Sequence, residues 1–416
     1  MRIGIIGGGE SGVGAGLLAR REGYEVFVSD AGTIREDRKQ ELVSNAIRFE
    51  EGGHSITELR RVDEVIISPG IPNNAGILGK IEGYGIPVIS EIEFASRYCR
   101  VPIIAITGTN GKTTTTNLIH HLLAESGVEA VKCGNIGTSW SRQIATRPVP
   151  ETYVVEISSF QLDRIESFSP DIALLLNITP DHLDRYDGSF ESYARSKWRI
   201  AKQQTKENPL LVLDELVDRY EPVVENLNGA LVRISSDKYK DYFHDLNNQA
   251  LRGEHNLMNA AFAIEVCLQR GISREEIEAG LRTFRNENHR MQVVRTLRGV
   301  EWINDSKATN VHAAYHALEG ITKPIVWIAG GVDKGNDYSV LDSLLDERVK
   351  YVVSLGVNNV SLDQYVADKN IEIVKAFGMK DAVSVAHEES TSGDAVLLSP
   401  CCASFDLFQD YEDRGN

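Results

Sequence analysis

The chain has 416 residues, with 44 basic against 60 acidic side chains, a net charge of −16 and a pI near 5.2. That length predicts two or three domains, each able to bury its own core, and excludes a single small domain. The acidic balance excludes nucleic-acid binding through a general positive field, and no stretch approaches the ~20 apolar residues of a membrane span. The opening MRIGIIGGGESG has no basic region, long apolar core or cleavage site, so a soluble cytoplasmic protein acting on small molecules is expected, with no nucleic acid and no membrane as partner. Five cysteines, Cys99, Cys133, Cys267, Cys401 and Cys402, show no CxxC spacing and predict buried or idle thiols rather than a disulfide framework or zinc site.

RIGII at residues 2–6 reads as a short buried strand, followed by Gly7-Gly8-Gly9-Glu10-Ser11-Gly12 and a helix of small residues running to Arg20. A second strand, YEVFVSD, ends at Asp30, near where a dinucleotide site keeps the carboxylate that holds a ribose. Taken alone this pattern suggests NAD. It reports only a backbone that approaches a pyrophosphate at a helix N-terminus, however, and a UDP-linked substrate offers the same group. A third strand, DEVIISPG, the tight Ser68-Pro69-Gly70-Ile71-Pro72 turn and a fourth strand, IPVIS, complete an α/β domain over residues 1–91.

The second domain, residues 92–287, opens with the apolar run Val101–Ile106, which breaks into Thr107-Gly108-Thr109-Asn110-Gly111-Lys112-Thr113-Thr114 before a helical pattern begins. This is the layout of a phosphate cradle: backbone N–H groups of a glycine turn, a helix N-terminus, a lysine and a hydroxyl suited to nucleotide triphosphate with Mg²⁺. The strict pattern asks for glycine where Ile106 stands. The next strand, TYVVEIS, ends with Glu156 at the edge where parallel sheets present ligand groups, well placed for Mg²⁺ beside the Thr113 hydroxyl. DIALLLNITPDHLDRY repeats the arrangement with Asp181, His182 and Asp184 in its loop, where His182 suits a metal ligand, a general base or a loop-stabilising donor equally. On composition alone Lys197, in FESYARSKWRIAKQQ, is an ordinary surface lysine. The strand LLVLD follows, then the apolar helix GEHNLMNAAFAIEVCLQRG with Asn256 and Asn259 on its first turns. A capping box, Ser273 to Glu276, opens one more helix.

A composition change at RNENHRMQVV marks the third domain, residues 288–416. VEWINDSKATN delivers a strand and then Asp305, Lys307, Thr309 and Asn310 at the entry of the helix VHAAYHAL. Strands KPIVWIAGG, VKYVVSLG and AVLLSP follow with helices between them. Lys334, in the turn after KPIVWIAGG, and Ser404 and Phe405, after AVLLSP, are placed at the ligand edge.

The ordered motifs TGTNGKTT, CGNIG, EISSFQL, NITPDHLDRY, SKWRI, GEHNLMNA, NHRMQ, WINDSKATN and SPCCASFD resemble those of the Mur ligases, the ATP-dependent amino-acid-adding enzymes of peptidoglycan synthesis, over essentially the whole chain. The resemblance is nearest to members that add D-glutamate to UDP-N-acetylmuramoyl-L-alanine, and the arginine-containing motif of the diaminopimelate-adding members is absent. It implies an α/β fold of three domains: a Rossmann-like N-terminal domain, a central P-loop ATPase-type parallel sheet and a Rossmann-like C-terminal domain. It implies ATP, two Mg²⁺ ions, a carbamylated Lys197 and no NAD, in a cytoplasmic monomer.

By the same resemblance, the Gly108, Thr109, Asn110, Gly111, Lys112, Thr113 and Thr114 segment holds ATP phosphates. Thr113, Glu156, His182 and Lys197 serve the metals. Asn259 meets adenine, Asp305 the ribose, and Arg290 and Lys307 the phosphates. Ser11, Gly12, Ser68, Gly70, Asn135 and His182 meet the UDP-substrate, and Thr309, Lys334, Ser404, Phe405 and Tyr411 the D-glutamate, with Tyr411 where phenylalanine is usual. Lys112, His182, Lys197, Arg290 and Lys307 are the expected catalytic groups. Position 10 is Glu where these members carry an apolar residue, and the chain stops at YEDRGN, short of a final helix, so a shortened C-terminal end is expected.

Overall fold

The computed structural model describes all residues except 245, 247 and 334, so the expectation for Lys334 lies outside the described residues. Its contacts divide it into two units, Met1–Leu246 with Met258–Arg282, and Asn247–Leu257 with Thr283–Asn416.

The first unit holds two parallel sheets. In the first, β1 (Arg2–Ile6), β2 (Glu25–Ser29), β3 (Arg48–Glu50), β4 (Glu64–Ile67) and β5 (Val88–Ser90) lie in the order β3-β2-β1-β4-β5. Ile3, Ile5, Val28 and Ile66 are buried in its core. The order reverses direction between β1 and β4, so the glycine turn after β1 and the Ser68 turn after β4 flank one crevice, the usual ligand position in an open α/β sheet. The Ser68 hydroxyl donates to the Gly7 carbonyl at 3.2 Å across it. Gly12 lies in the first turn of the following helix, Glu10–Arg21, where a Cβ would lie 1.8 Å from the Gly7 oxygen, so no other residue fits.

The second sheet is β6 (Ile103–Thr107), β7 (Ala130–Gly134), β8 (Thr152–Glu156), β9 (Ile172–Leu175), β10 (Leu210–Leu213) and β11 (Leu231–Ile234), in the order β11-β10-β9-β6-β8-β7. β6 is buried along its whole length, as a central parallel strand must be, and pairs Ile106 with Glu156 and Thr107 with Leu175. The ends of β6, β8 and β9 therefore open side by side at one edge. The capping box forms as expected: the Glu276 amide donates to the Ser273 hydroxyl at 3.3 Å, and Glu276 accepts from the Ser273 amide at 3.0 Å.

The second unit has β12 (Gln292–Leu297), β13 (Val300–Asn304), β14 (Ile325–Ala329), β15 (Val349–Leu355), β16 (Glu372–Ala376) and β17 (Ala395–Leu398), ordered β12-β13-β17-β14-β15-β16. This sheet is mixed, with β12 as its one antiparallel strand and the other five parallel, in keeping with the α/β reading of the third domain. β12 runs antiparallel to β13 through a two-residue hairpin, Arg298 and Gly299, both at positive φ (52° and 80°). A residue set of that conformation matches the right-handed twist of the two strands it joins. Four of the five cysteines are buried, and all five are free thiols. Among the described residues no helix is long and apolar enough to cross a membrane.

Candidate active site

The phosphate-cradle sequence forms the expected strand, turn and helix. β6 ends at Thr107, Gly108 and Gly111 take φ of 159° and 82°, and the helix Lys112–Glu125 begins immediately. Lys112 Nζ donates to the Gly108 and Thr109 carbonyls at 2.9 and 2.8 Å. Asn177, just past β9, braces the loop: its Oδ1 accepts from the Thr109 and Asn110 amides at 3.1 and 2.9 Å, and its Nδ2 donates to the Asn110 carbonyl at 3.0 Å. Asn259 is buried against the turn, accepting from the Thr115 hydroxyl at 3.3 Å. A Cβ on Gly111 would fall 2.3 Å from its Oδ1.

Glu156, at the end of β8, is buried and accepts from the Thr113 hydroxyl at 2.8 Å and the Asn135 side-chain amide at 2.9 Å. The Asn135 backbone N–H also donates to the Glu156 carbonyl at 2.8 Å. A carboxylate and a hydroxyl in contact beside a cradle are hard oxygen donors of the kind Mg²⁺ takes, so Thr113 and Glu156 fit that ion. His182 stands at a left-handed backbone position, φ 52°, its Nε2 3.7 Å from an Asp181 oxygen and its ring edge-on to Phe160.

Lys197 overturns the surface reading. It is 2% exposed, on the helix Phe190–Trp198, with Nζ donating to the Gly108 carbonyl at 2.7 Å and lying 4.7 Å over the Tyr193 ring. Burial, reinforced by the nearby Lys112 ammonium, holds its pKa well below the usual lysine value despite Asp181, Glu156 and Asp163. A buried lysine held toward its neutral form is a nucleophilic amine.

In the first crevice, Asp30 is engaged with the glycine turn itself, accepting from the Gly8 and Gly32 amides at 2.6 and 2.8 Å. The Ser68–Gly70 turn is tied to the His182 loop by Arg185, whose guanidinium donates to the Pro69 and Ile71 carbonyls at 3.2 and 3.1 Å and sits 4.2 Å over the Phe160 ring.

In the second unit, Asp305 follows β13, where its carboxylate accepts from the Met291 amide at 3.1 Å and the Ser399 hydroxyl at 3.0 Å. Burial pushes its carboxyl up to about 7, against the opposing pull of Arg290. Lys307 Nζ lies 5.2 Å over the Tyr411 ring. Thr309 directly precedes Asn310, which caps the helix Val311–Glu319. The loops after β14 and β17 pair through Val332 and Ala403, which puts buried Ser404 and exposed Phe405 just past this bridge.

Nothing in the sequence around Arg414 marks it as a structural residue. Buried, it donates to the Ser306 carbonyl, the Ser306 hydroxyl and the Cys402 carbonyl at 2.8, 3.0 and 3.1 Å, joining the loops after β13 and β17. Among the described residues, His255, His316 and Glu319 bring ligand-type atoms within 4.8 Å of one another. The two imidazoles stack at 4.7 Å and 30°, so their in-plane lone pairs run side by side rather than converging, and Arg290 adds positive charge nearby. The cluster does not suit a cation.

Three segments match known domains in order: residues 2–77 the MurD N-terminal domain, residues 106–250 the Mur ligase middle domain, and residues 289–402 the Mur ligase glutamate ligase domain. A UDP-N-acetylmuramoylalanine--D-glutamate ligase of Christiangramia forsetii is 44% identical over 100% of this chain and 97% of its own length. The chain belongs to the Mur ligase family. A second such ligase, from Bacteroides fragilis, is 42% identical over the same shares. The Mur ligase fold is also that of UDP-N-acetylmuramate-alanine ligase from Thermotoga maritima, with a TM-score of 0.60 at 17% identity, covering 96% of each chain. Mur ligases are ATP-dependent amide ligases of peptidoglycan precursor synthesis, and the cradle, Glu156 and buried Lys197 lie together at one edge of the central sheet.

Proposed function

We propose that this chain adds D-glutamate to UDP-N-acetylmuramoyl-L-alanine at the cost of ATP, as a cytoplasmic monomer with division points near residues 91 and 287. The observation that carries the reading is the gathering of Lys112, the Thr113–Glu156 pair and buried Lys197 around one glycine turn at the edge of the central sheet. The name shared by its full-length relatives supplies the amino acid.

An oxygen of the alanyl carboxylate bonds to the γ-phosphorus as the bond to the bridging oxygen breaks, and ADP leaves with that electron pair. The D-glutamate nitrogen then attacks the acyl carbon, loses a proton, and the tetrahedral intermediate expels phosphate. Lys112 and the loop amides orient the phosphates and offset their charge. Thr113 and Glu156 would hold Mg²⁺, and His182 would serve a second ion. When bound, these ions would supply Lewis-acid neutralisation of the phosphoryl oxygens.

Lys197 as a cation opposes a metal there. As a neutral amine it adds to CO₂: a C–N bond forms, one C–O π bond opens and a proton leaves, giving an anionic oxygen donor. Asn259 is assigned to adenine. Ser11, Gly12, Ser68, Gly70, Asn135 and His182 are assigned to the UDP-substrate. In the second unit, Asp305, Arg290 and Lys307 are assigned to ATP, and Thr309, Lys334, Ser404, Phe405 and Tyr411 to D-glutamate.

Phosphate release is measured with UDP-N-acetylmuramoyl-L-alanine, ATP and Mg²⁺, adding D-Glu, L-Glu, L-Lys or meso-diaminopimelate separately. D-Glu is expected to be preferred, and preference for any other amino acid overturns the assignment.

A further inference from the structure

Glu10 is the first residue of the helix Glu10–Arg21, whose N-terminus faces the crevice of the first sheet. A carboxylate there has an evident cost, because it places negative charge beside the proposed diphosphate position. Its geometry resolves the conflict. Glu10 Oε1 accepts three hydrogen bonds from the 139–146 segment: the Ser139 amide at 3.1 Å, the Ser139 hydroxyl at 3.2 Å and Arg142 Nε at 2.8 Å. The Arg142 guanidinium is in turn paired with Glu41, on the helix Glu36–Ser44. The acid is thus turned sideways from the glycine turn, and its charge is met by Arg142.

What Glu10 grips matters for the site. Ser139 closes the short loop that begins with Gly134 and carries Asn135, and the Gly134 amide donates to the Thr138 carbonyl at 3.1 Å within that loop. Asn135 is hydrogen-bonded to Glu156 through both its backbone and its side chain. Small residues let the two elements meet this closely. A Cβ on Gly14, one turn along the Glu10 helix, would fall 2.1 Å from the Ser139 hydroxyl. One carboxylate therefore joins the glycine turn of the first sheet to the loop that reaches the Glu156 centre of the second.

We propose that Glu10 is a positioning residue for the UDP-linked substrate. It fixes the spacing between the turn that holds the diphosphate and the Asn135 loop that meets the sugar end. The inference rests on the functional reading above. An apolar residue at this position leaves Arg142 and the Ser139 amide without their acceptor, so the substrate's two ends are held out of register by the loss of one side chain that touches neither.

The test measures steady-state phosphate release by wild type, Glu10→Gln, Glu10→Leu and Arg142→Ala, varying one substrate at a time, with melting temperature as a folding check. For Glu10→Leu and Arg142→Ala the expected result is a rise of about tenfold in KM for the UDP-substrate, with kcat and the KM values for ATP and D-Glu within about twofold. Glu10→Gln keeps an acceptor for Ser139 and is expected to fall between Glu10→Leu and wild type. An unchanged KM for the UDP-substrate in Glu10→Leu overturns the proposal. So does a lowered one, which would mean the carboxylate repels the diphosphate. An equal rise in all three KM values also overturns it, by showing a general structural loss. Wild type that shows no saturable dependence on the UDP-substrate would sink the functional reading itself, whatever the variants do.

Discussion

Lys197 and Lys112 donate to the same oxygen, the Gly108 carbonyl, at 2.7 and 2.9 Å. Two ammonium groups sharing one acceptor repel each other, and burial of Lys197 removes the water that would screen them. The arrangement is relieved if Lys197 gives up its proton, and that links its depressed pKa to its chemistry. The carbamate proposed for this side chain needs the neutral amine, the form that burial and Lys112 favour and that Asp181 and Glu156 oppose.

Lys197→Ala is therefore expected to lose activity by a factor of about 10² or more while still folding, because the alanine removes a buried amine rather than opening an unpaired charge. Short carboxylates added to this variant are expected to restore part of the rate by standing in for the carbamate. Phosphate-release assays with graded formate or acetate check this. Unchanged activity in the variant refutes the metal role of Lys197.

Gly111→Ala probes the cradle itself. The new methyl would lie 2.3 Å from Asn259 Oδ1, and the residue would sit at φ 82°. Both the clash and the left-handed backbone act against it, for a loss of about 1–3 kcal/mol in stability. Displacing Asn259 moves the residue assigned to adenine, so KM for ATP is expected to rise more than KM for D-Glu. Thermal melts and substrate titrations separate the two effects, and equal KM shifts would count against the adenine assignment.

Much of this could be read from the sequence because it is local. A strand breaking into Gly108 to Thr113 and a helix specifies its own geometry, as does the Ser273 to Glu276 box. What the sequence hid was set by distant partners. Lys197 has a polar neighbourhood in the chain but is buried at Gly108, 89 residues away. Asn177 looks like one polar residue in a loop until the sheet order sets β9 beside β6. The strands that escaped notice, β3, β7, β11, β12 and β16, are all sheet edges, where half-exposed residues such as those of Arg48–Glu50 and Glu372–Ala376 lack a clean apolar run. Arg414 is one basic residue near the chain end, and only the pairing of its guanidinium with Ser306 and Cys402 marks it.

Asn177→Ala removes the acceptor for the Thr109 and Asn110 amides and the donor to the Asn110 carbonyl. Stability is expected to fall by about 1–3 kcal/mol, the cost of leaving partly buried loop groups less well paired. KM for ATP is expected to rise and KM for the UDP-substrate to stay level. Denaturant melts with nucleotide titration check it, and an unchanged ATP KM would show that the loop holds its shape without this brace.

Glu91 and Glu93, on one turn of the helix Glu91–Ser96, titrate in opposite directions. Burial pushes Glu93 up too, but its carboxylate accepts from the Ser167 hydroxyl and from the Glu166, Ser167 and Phe168 amides, and these hold it below the usual value. Glu91 has the Ser141 amide at 2.6 Å on one oxygen, while the other is buried with no hydrogen-bond partner among the described residues, and burial carries its pKa up to about 7. Between pH about 4.5 and 7 the folded protein keeps a proton on Glu91 that the unfolded chain releases, so this group makes stability fall as pH rises through that window and level off above it. At 1.36 kcal/mol per unit the upper bound is on the order of 3 kcal/mol. Glu91→Gln supplies the neutral form at every pH. It is expected to match wild type near pH 5 and to melt several degrees higher at pH 8, with a flatter stability profile between. Melting curves across that range decide it: a variant equally destabilised at pH 5 and pH 8 would show that Glu91 is ionised in the folded protein and held by its hydrogen bond to Ser141.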